Sequence, residues 1–140
     1  MKMNQHRITD LLPHRDPFLF VDQVISSTTS EIVATKIFSK KDKWLKGSFP
    51  DSGFIPGMIL VESMAQCGGA GIKLLGLAEG IFALTSIEKV QFFAGAGFNK
   101  EIKYIIKNQR ISSSIIKQSG TAMMGDSKLL EASWMSVKVR

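Results

Sequence analysis

The sequence predicts an α+β domain in which one antiparallel sheet packs against a single long helix. Three observations predict this class: strand-like segments before residue 40, a long apolar helix candidate starting at residue 56, and period-two patterns from residue 82 onwards. The 140 residues contain no repeat, linker or low-complexity tract. We therefore expect one domain, residues 1–140.

The elements expected before the long helix are a short helix and a hairpin. "RITDLLPHRDPF" predicts a short helix that ends at Pro13 and is followed by a turn. "FLFVDQVISS" is rich in β-branched and aromatic residues and predicts a strand, with "EIVATKIFS" as its hairpin partner. Residues 40–55 are polar and rich in Gly and Pro, which predicts a loop.

The long helix is predicted over residues 56–78, "PGMILVESMAQCGGAGIKLLGLA". Pro56 suits a first helical turn, where its missing N–H has no partner to lose. Apolar side chains fall on nearly every face, so the helix should be buried. Gly68, Gly69 and Gly71 each cost about 1 kcal/mol relative to Ala inside a helix. They indicate either close packing of a sheet or partner backbone, or a bend.

The strands expected after the helix come from alternating segments separated by short turns. "GDSK" at residues 125–128 predicts a hairpin turn. The predicted strands are residues 82–94, 100–109, 110–118, 120–125 and 128–139.

Composition narrows the functional classes. The net charge of +6 favours an acidic partner, such as an acidic carrier protein or an anionic cofactor. The lysines are scattered rather than arranged in a basic stripe with aromatic platforms, so nucleic acid is not the expected partner. The opening residues have no apolar h-region and no stretch is long enough for a membrane span, so we expect neither a signal peptide nor a span.

The single cysteine, Cys67, excludes an internal disulfide and a cysteine zinc cluster, and it fits a reducing cytoplasm. We expect neither a metal nor a cofactor. Cys67 has no positioned base nearby in the sequence pattern, and a helix turns about 500° over the five residues from Glu62, so it points elsewhere. We interpret Cys67 as a small core residue rather than a nucleophile.

Four segments, taken in order along the chain, resemble the β-hydroxyacyl-acyl-carrier-protein dehydratases of fatty acid synthesis. "LLPHRDPFLFVDQV" resembles that family's N-terminal signature, and "GSFPDSGFIPGMILVESMAQ" its active-site segment. "IEKVQFFAGA" and "LLEASWMSVKV" are similar to its later strands. The resemblance implies the hot-dog fold, in which a curved sheet wraps a central helix. It also implies a homodimer or a trimer of dimers, with sites at the dimer interface and acyl carrier protein or CoA thioesters as substrates.

The resemblance also assigns roles to residues. In the family, a histidine before "FP" removes the α-proton, and a helix carboxyl supplied across the dimer protonates the departing β-hydroxyl. A backbone N–H at the helix start polarises the thioester carbonyl. Carried over, the acid is Glu62 and the N–H donor is Gly57. A carboxyl among apolar neighbours tends to stay protonated, as a general acid requires.

The base position is where this chain departs from the family. The family pattern Gly-His-Phe-Pro is here Gly47-Ser48-Phe49-Pro50. A serine hydroxyl alone cannot serve as a general base near pH 7, although it could donate a hydrogen bond or place a water. His6 and His14 are the other histidines. His6 should be exposed near the terminus, and His14 should hydrogen-bond its turn, with a surrogate base as its alternative role.

Other positions have plainer interpretations. The family's Pro-Gly-Asp turn is replaced by "GAGFNK" at residues 95–100, which leaves the local register open. The aromatic residues Trp44, Phe49, Phe92, Phe93 and Trp134 are expected in the core or in the wall of an acyl tunnel. Met123 and Met124 are expected to be packing residues.

Three hypotheses follow for function. The first is a dehydratase-like hydro-lyase of fatty acid, lipid or polyene biosynthesis that forms the trans-2-enoyl thioester through Glu62, with activity weakened or lost at the base. The second is a catalytically silent subunit that binds acyl chains or forms a heterodimer with an active paralogue. The third is a hot-dog thioesterase that uses Glu62 and a water.

Overall fold

A computed structural model describes residues 5–42, 45, 47–48 and 50–140 of the chain. Over these residues two helices and six strands are assigned. The helices are α1 (Gln5–Leu11) and α2 (Gly57–Leu74), and the strands are β1 (Gln23–Ser27), β2 (Glu31–Ile37), β3 (Phe82–Phe92), β4 (Glu101–Ile111), β5 (Ile115–Met124) and β6 (Ser127–Lys138).

The six strands form one antiparallel sheet in the order β1-β2-β4-β5-β6-β3. β1 and β3 are therefore its edges. A tight turn joins β5 to β6, and Gly125 adopts a positive φ of 59° there, which glycine tolerates without steric cost. The predicted turn at residues 125–128 is confirmed, although Ser127 and Lys128 already belong to β6.

Helix α2 crosses the sheet and supplies the centre of the core. It contacts β1, β2, β3, β4 and β5, and α1 packs against it as well. Leu60, Met64 and Ile72 of α2 are almost completely buried, together with Trp134 of β6. Such burial explains why apolar residues appear on nearly every face of this helix in the sequence.

The glycines of α2 are explained by close packing, since the helix runs unbroken through them. A Cβ at Gly68 would lie 2.3 Å from Gln118 Oε1, and one at Gly71 would lie 2.6 Å from Ile32 Cδ1. The contacts come from sheet side chains, so of the expected alternatives the close packing of a sheet is confirmed for Gly68 and Gly71. Gly69 is different, because its nearest neighbour would be Leu12 Cδ2 at an ordinary 3.6 Å.

Several predicted boundaries were wrong. Residues 110–118 and 120–125 were predicted as two strands, but Ile115–Met124 is one strand that continues through Gly120. Gly120 leaves room there for Met64 of α2, whose Sδ would lie 2.6 Å from an added Cβ. Arg110 belongs to β4, and α2 ends at Leu74 rather than at residue 78.

The turn that replaces the family's Pro-Gly-Asp now has a defined structure. Asn99 adopts a positive φ of 61°, which asparagine tolerates better than most residues. Its N–H donates to the Phe38 carbonyl at 2.7 Å, and the Lys40 N–H donates to its side chain at 3.4 Å. Phe54 pairs with Gly97 as an isolated antiparallel bridge. The turn thus ties the loop before α2 to the sheet.

The predicted aromatic core is only partly present. Trp134 is buried at 1% exposure, as expected, but Phe92 and Phe93 are 49% and 48% exposed in the single chain. Met124 packs against the core from its edge. Trp44 and Phe49 lie outside the described residues, and so does the side chain of His6.

Candidate active site

Glu62 lies in the second turn of α2 and faces a cavity of about 290 Å³. Five residues of α2 line this cavity: Glu62, Ala65, Gln66, Gly69 and Lys73. Their spacings of three, four, seven and eleven residues from Glu62 place them on one face of the helix. Because α2 rises about 1.5 Å per residue, Lys73 lies roughly 16 Å along the axis from Glu62. The cavity is therefore elongated along the helix.

The remaining walls of the cavity are largely apolar and come from segments before and after α2. The end of α1 and the loop after it, the start of β3 with the two residues before it, two residues of β5 and one of β6 contribute them. The apolar wall residues are Leu11, Leu12, Pro13, Ile81, Phe82, Ala83, Leu84 and Ile116. An elongated apolar cavity with a carboxyl group near one end suits an extended hydrocarbon chain that carries a reactive polar head.

The Glu62 carboxyl is held in place by Gln66, one helical turn later. Gln66 Nε2 donates to Glu62 Oε2 at 2.8 Å. The orientation of the Gln66 amide is fixed from behind, because its Oε1 accepts the Phe20 N–H at 2.8 Å and its Nε2 also donates to the Phe18 carbonyl at 3.2 Å. The segment after α1 thereby determines where the carboxyl points.

His14 approaches the same carboxyl from the loop after α1. Its Nε2 lies 3.8 Å from Glu62 Oε2, and the two side chains are 31% and 26% exposed. Arg15 braces this loop, since its Nη1 donates to the carbonyls of Leu12 and His14 at 2.8 and 2.7 Å. Burial lowers the pKa of His14 below 6.5; the Glu62 charge opposes that shift and Arg15 adds to it.

The other end of the cavity is marked by Lys73, in the last turn of α2. Lys73 Nζ donates to the Gly80 carbonyl and lies 5.9 Å from the centre of the Phe82 ring. A cation here also interacts favourably with the C-terminus of the helix dipole. These contacts account for Lys73 without any ligand.

Ser48 and Gly57 are not brought to Glu62 within one chain. Ser48 is exposed in the loop before α2 and is absent from the walls of the Glu62 cavity. Gly57, the first residue of α2, lines a different cavity of about 390 Å³, where a Cβ would lie 2.7 Å from the Phe92 ring. Met58 and Gly95 line this second cavity as well.

Cys67 is completely buried, and burial raises the pKa of its thiol far above the ordinary value. The interpretation of Cys67 as a core residue is therefore confirmed, since a protonated, inaccessible thiol is a poor nucleophile. Among the described residues no cluster of three or more His, Cys, Asp or Glu side chains could hold a metal ion. In the same part of the chain, no helix is long and apolar enough to cross a membrane.

Sequence reasoning missed two features of this site. Gln66 received no role, although its spacing of four residues from Glu62 on a helix is the signal for a side-chain contact. His14 was interpreted chiefly as a turn residue, and its approach to Glu62 joins positions 48 residues apart. Only the packing of the loop after α1 on α2 reveals that contact.

The family model and the curated relatives that match this chain point to the same family. The FabA-like domain model matches residues 12–133. The chain is 33% identical over 138 residues to a 3-hydroxyacyl-[acyl-carrier-protein] dehydratase FabZ of Paracidovorax citrulli, covering 95% of this chain and 94% of that protein. It is 36% identical over 125 residues to the FabZ of Clostridium perfringens strain SM101, covering 88% and 84%.

Solved structures share the fold at low identity. The dehydratase heterocomplex ApeI:P from Xenorhabdus doucetiae matches with a TM-score of 0.82 and 16% identity, covering 95% of this chain and 91% of that one. A hypothetical thioesterase with coenzyme A from Streptococcus pneumoniae matches with a TM-score of 0.64 and 9% identity, covering 94% and 91%. The predicted hot-dog fold, a sheet around one long helix, is confirmed.

Proposed function

The chain belongs to the FabA-like domain family, and from that premise we propose that it is a dehydratase-like protein of fatty acid or lipid biosynthesis. Its substrate is a 3-hydroxyacyl thioester on acyl carrier protein or CoA, and its product is the trans-2-enoyl thioester and water. The full-length similarity to FabZ dehydratases supports this reaction class over other uses of the same fold.

The observation that carries the proposal is Glu62 itself. Its carboxyl lies near one end of an elongated, mostly apolar cavity and is oriented there by Gln66. The side chain is 26% exposed, so the carboxyl is reachable from the cavity while Gln66 fixes its direction. The carboxyl is close enough to a chain bound along α2 to protonate a β-hydroxyl as it leaves, while the apolar walls accept the hydrocarbon.

A second chain completes the proposed site. Within one chain the Gly57 N–H and Ser48 lie away from the Glu62 cavity, so both would have to reach the thioester from a partner. The partner surface that we propose is an exposed apolar patch. It is formed by Phe54, Met58, Phe92 and Phe93, each about half exposed. Exposed apolar side chains around a helix start and a sheet edge are typical of an interface.

We infer that this partner is a second copy or a related active subunit. Gly57 is the first residue of α2, ahead of the Ile59 and Leu60 N–H groups that donate to the Pro56 carbonyl, so its N–H is suited to polarise the thioester carbonyl. The net charge of +6 supports an acidic carrier protein as the donor of the thioester. We place the reaction in the cytoplasm, where the free thiol of Cys67 stays reduced.

The test is product analysis with a Glu62→Gln variant. Purified protein is incubated with a 3-hydroxyacyl thioester on carrier protein, and the enoyl thioester and the free acid are quantified. We expect enoyl product from the native protein and a loss of about 10²- to 10⁴-fold in Glu62→Gln, because general acid catalysis contributes that much. Glu79→Gln, which changes an exposed carboxyl between α2 and β3, is the matched control and should keep the native rate.

Two outcomes would contradict this proposal. Free acid without enoyl product would identify a thioesterase instead. No product at all, with an active homologue bound to the chain, would support the second candidate, a silent partner subunit. The exposed serine at the family's base position favours that second candidate specifically, since it removes the proton acceptor and leaves the rest of the scaffold in place.

A further inference from the structure

The loop after α1 brings the imidazole of His14 into the cavity that holds Glu62. His14 Nε2 lies 3.8 Å from Glu62 Oε2, and both side chains line the same cavity. This separation exceeds the 2.7–3.2 Å of a direct hydrogen bond. A substrate atom beside the gap can therefore contact both groups, with the carboxyl on one side and the imidazole on the other.

Only one nitrogen of His14 can exchange a proton with the cavity. Nδ1 is buried and has no hydrogen-bond partner among the described residues. Nε2 faces Glu62. For Nε2 to accept a proton, the hydrogen of the neutral imidazole must reside on Nδ1. An unsatisfied buried Nδ1 is a structural cost, of the kind found at functional sites.

We propose that His14 is the proton acceptor of this site and takes the role for which Ser48 is unsuited. The inference rests on the proposed dehydratase function and identifies the group that completes it. His14 and Glu62 then form an acid–base pair within one chain. The base enters from the loop after α1 instead of from the loop before α2.

The reaction balances with these two groups alone. His14 Nε2 takes the α-proton, and the electron pair of that C–H bond forms the Cα=Cβ bond. The Cβ–O bond breaks, and the departing oxygen takes the proton of the Glu62 carboxyl to leave as water. The imidazolium proton then passes to the Glu62 carboxylate across the gap, directly or through that water, which restores both groups.

The charges around His14 agree with a neutral base. Glu62 is the nearby acid, Arg15 is the adjacent cation, and Lys73 is the cation on the same cavity wall, roughly 16 Å along α2 from Glu62. Burial and Arg15 lower the pKa of His14 and together outweigh a charged Glu62; with Glu62 protonated, as the proposed step requires, that opposing effect is absent. The imidazole is therefore predominantly neutral at pH 7, as a proton acceptor must be.

The test compares five proteins in the same assay of enoyl formation: the native chain, His14→Gln, His6→Gln, Ser48→His and the double variant Ser48→His/His14→Gln. His6→Gln is the matched control, because it removes the chain's other histidine. Binding is measured separately as the Kd of a saturated acyl pantetheine thioester, which cannot be dehydrated. Circular dichroism confirms that each variant is folded.

We expect His14→Gln to lower kcat about 10²-fold or more with the Kd unchanged, and His6→Gln to keep the native rate. The double variant should regain activity, because Ser48→His restores the family's base. Full activity in His14→Gln would overturn the role of His14 and leave the dehydratase proposal standing. An inactive native chain that becomes active with Ser48→His alone would also overturn it. If neither the native chain nor Ser48→His forms enoyl product, the dehydratase function itself is refuted.

A second readout needs no substitution. The acid limb of kcat/KM reports the base of the free enzyme. Since burial lowers the pKa of His14, we expect this limb below pH 6.5 in the native protein. A limb at or above pH 6.5 would overturn the assignment.

Discussion

The two halves of the family's catalytic pair are held very differently in this chain. Glu62 lies on a buried helix, its carboxyl is oriented by Gln66, and Gln66 is fixed in turn by the backbone of Phe20. Ser48 is exposed in the loop before α2. The difference teaches that several contacts orient the acid on its helix, whereas the residue at the base position is exposed in a loop.

The hydrogen bonds that orient the Glu62 carboxyl can be removed by a substitution at Gln66. Gln66→Met keeps the length of the side chain but removes the Oε1 atom that accepts the buried hydrogen bond from the Phe20 N–H. We expect the free energy of unfolding to fall by about 1–3 kcal/mol, because removing one partner of a buried hydrogen bond costs about that much. Urea denaturation measures it as a lower midpoint at unchanged slope. Gln91→Met, on the exposed side of β3, is the control and should stay within about 0.5 kcal/mol.

Helix α2 packs one face on the sheet and lines the cavity with another. Alanine substitutions at Gly68 and Gly69 compare how tightly the two faces are packed. At Gly68 a methyl group would lie 2.3 Å from Gln118 Oε1. Gln118 is buried and accepts a hydrogen bond from Trp134 Nε1, so it cannot move freely. We expect Gly68→Ala to destabilise the protein by about 1–2 kcal/mol, because overpacking outweighs the gain in helix propensity.

Gly69→Ala is the matched variant one residue later. Its methyl group would meet Leu12 Cδ2 at an ordinary 3.6 Å. We expect it to stabilise the protein by about 0.5–1 kcal/mol through helix propensity alone. Thermal unfolding of both variants checks the opposite signs. Equal effects of Gly68→Ala and Gly69→Ala would contradict the packing described for α2.

The smallest expected effect is the pH dependence that His14 adds to stability. Because the pKa of His14 is lower in the folded than in the unfolded chain, the unfolded state binds more protons as the pH falls. His14 therefore contributes stability above pH 6.5 that is lost as the pH falls through its folded pKa. Denaturant midpoints at pH 7.5 and pH 5 should differ less in His14→Gln than in the native protein. An identical difference in both would contradict the burial of this imidazole.

Local patterns were enough to predict α2 and the alternating strands, because helix and strand periods are visible in short segments, whereas Glu62 was assigned its role by the family resemblance. The break predicted between residues 118 and 120 was wrong, since Gly120 serves the packing of Met64 rather than a turn. The approach of His14 to Glu62 could not be predicted, because it depends on how α1 and its loop pack on α2. The half-exposed Phe92 has the same cause, as its surroundings are set by tertiary packing.

The most direct test of the account compares kcat/KM for enoyl formation in Ser48→Ala and Glu62→Gln, prepared and assayed together. The difference between the two halves predicts that Ser48→Ala stays within about threefold of the native protein, since an exposed hydroxyl contributes little to proton transfer. Glu62→Gln should lose about 10²-fold or more. A large loss in Ser48→Ala, or native activity in Glu62→Gln, would contradict the central claim that the reaction is carried by the cavity of α2.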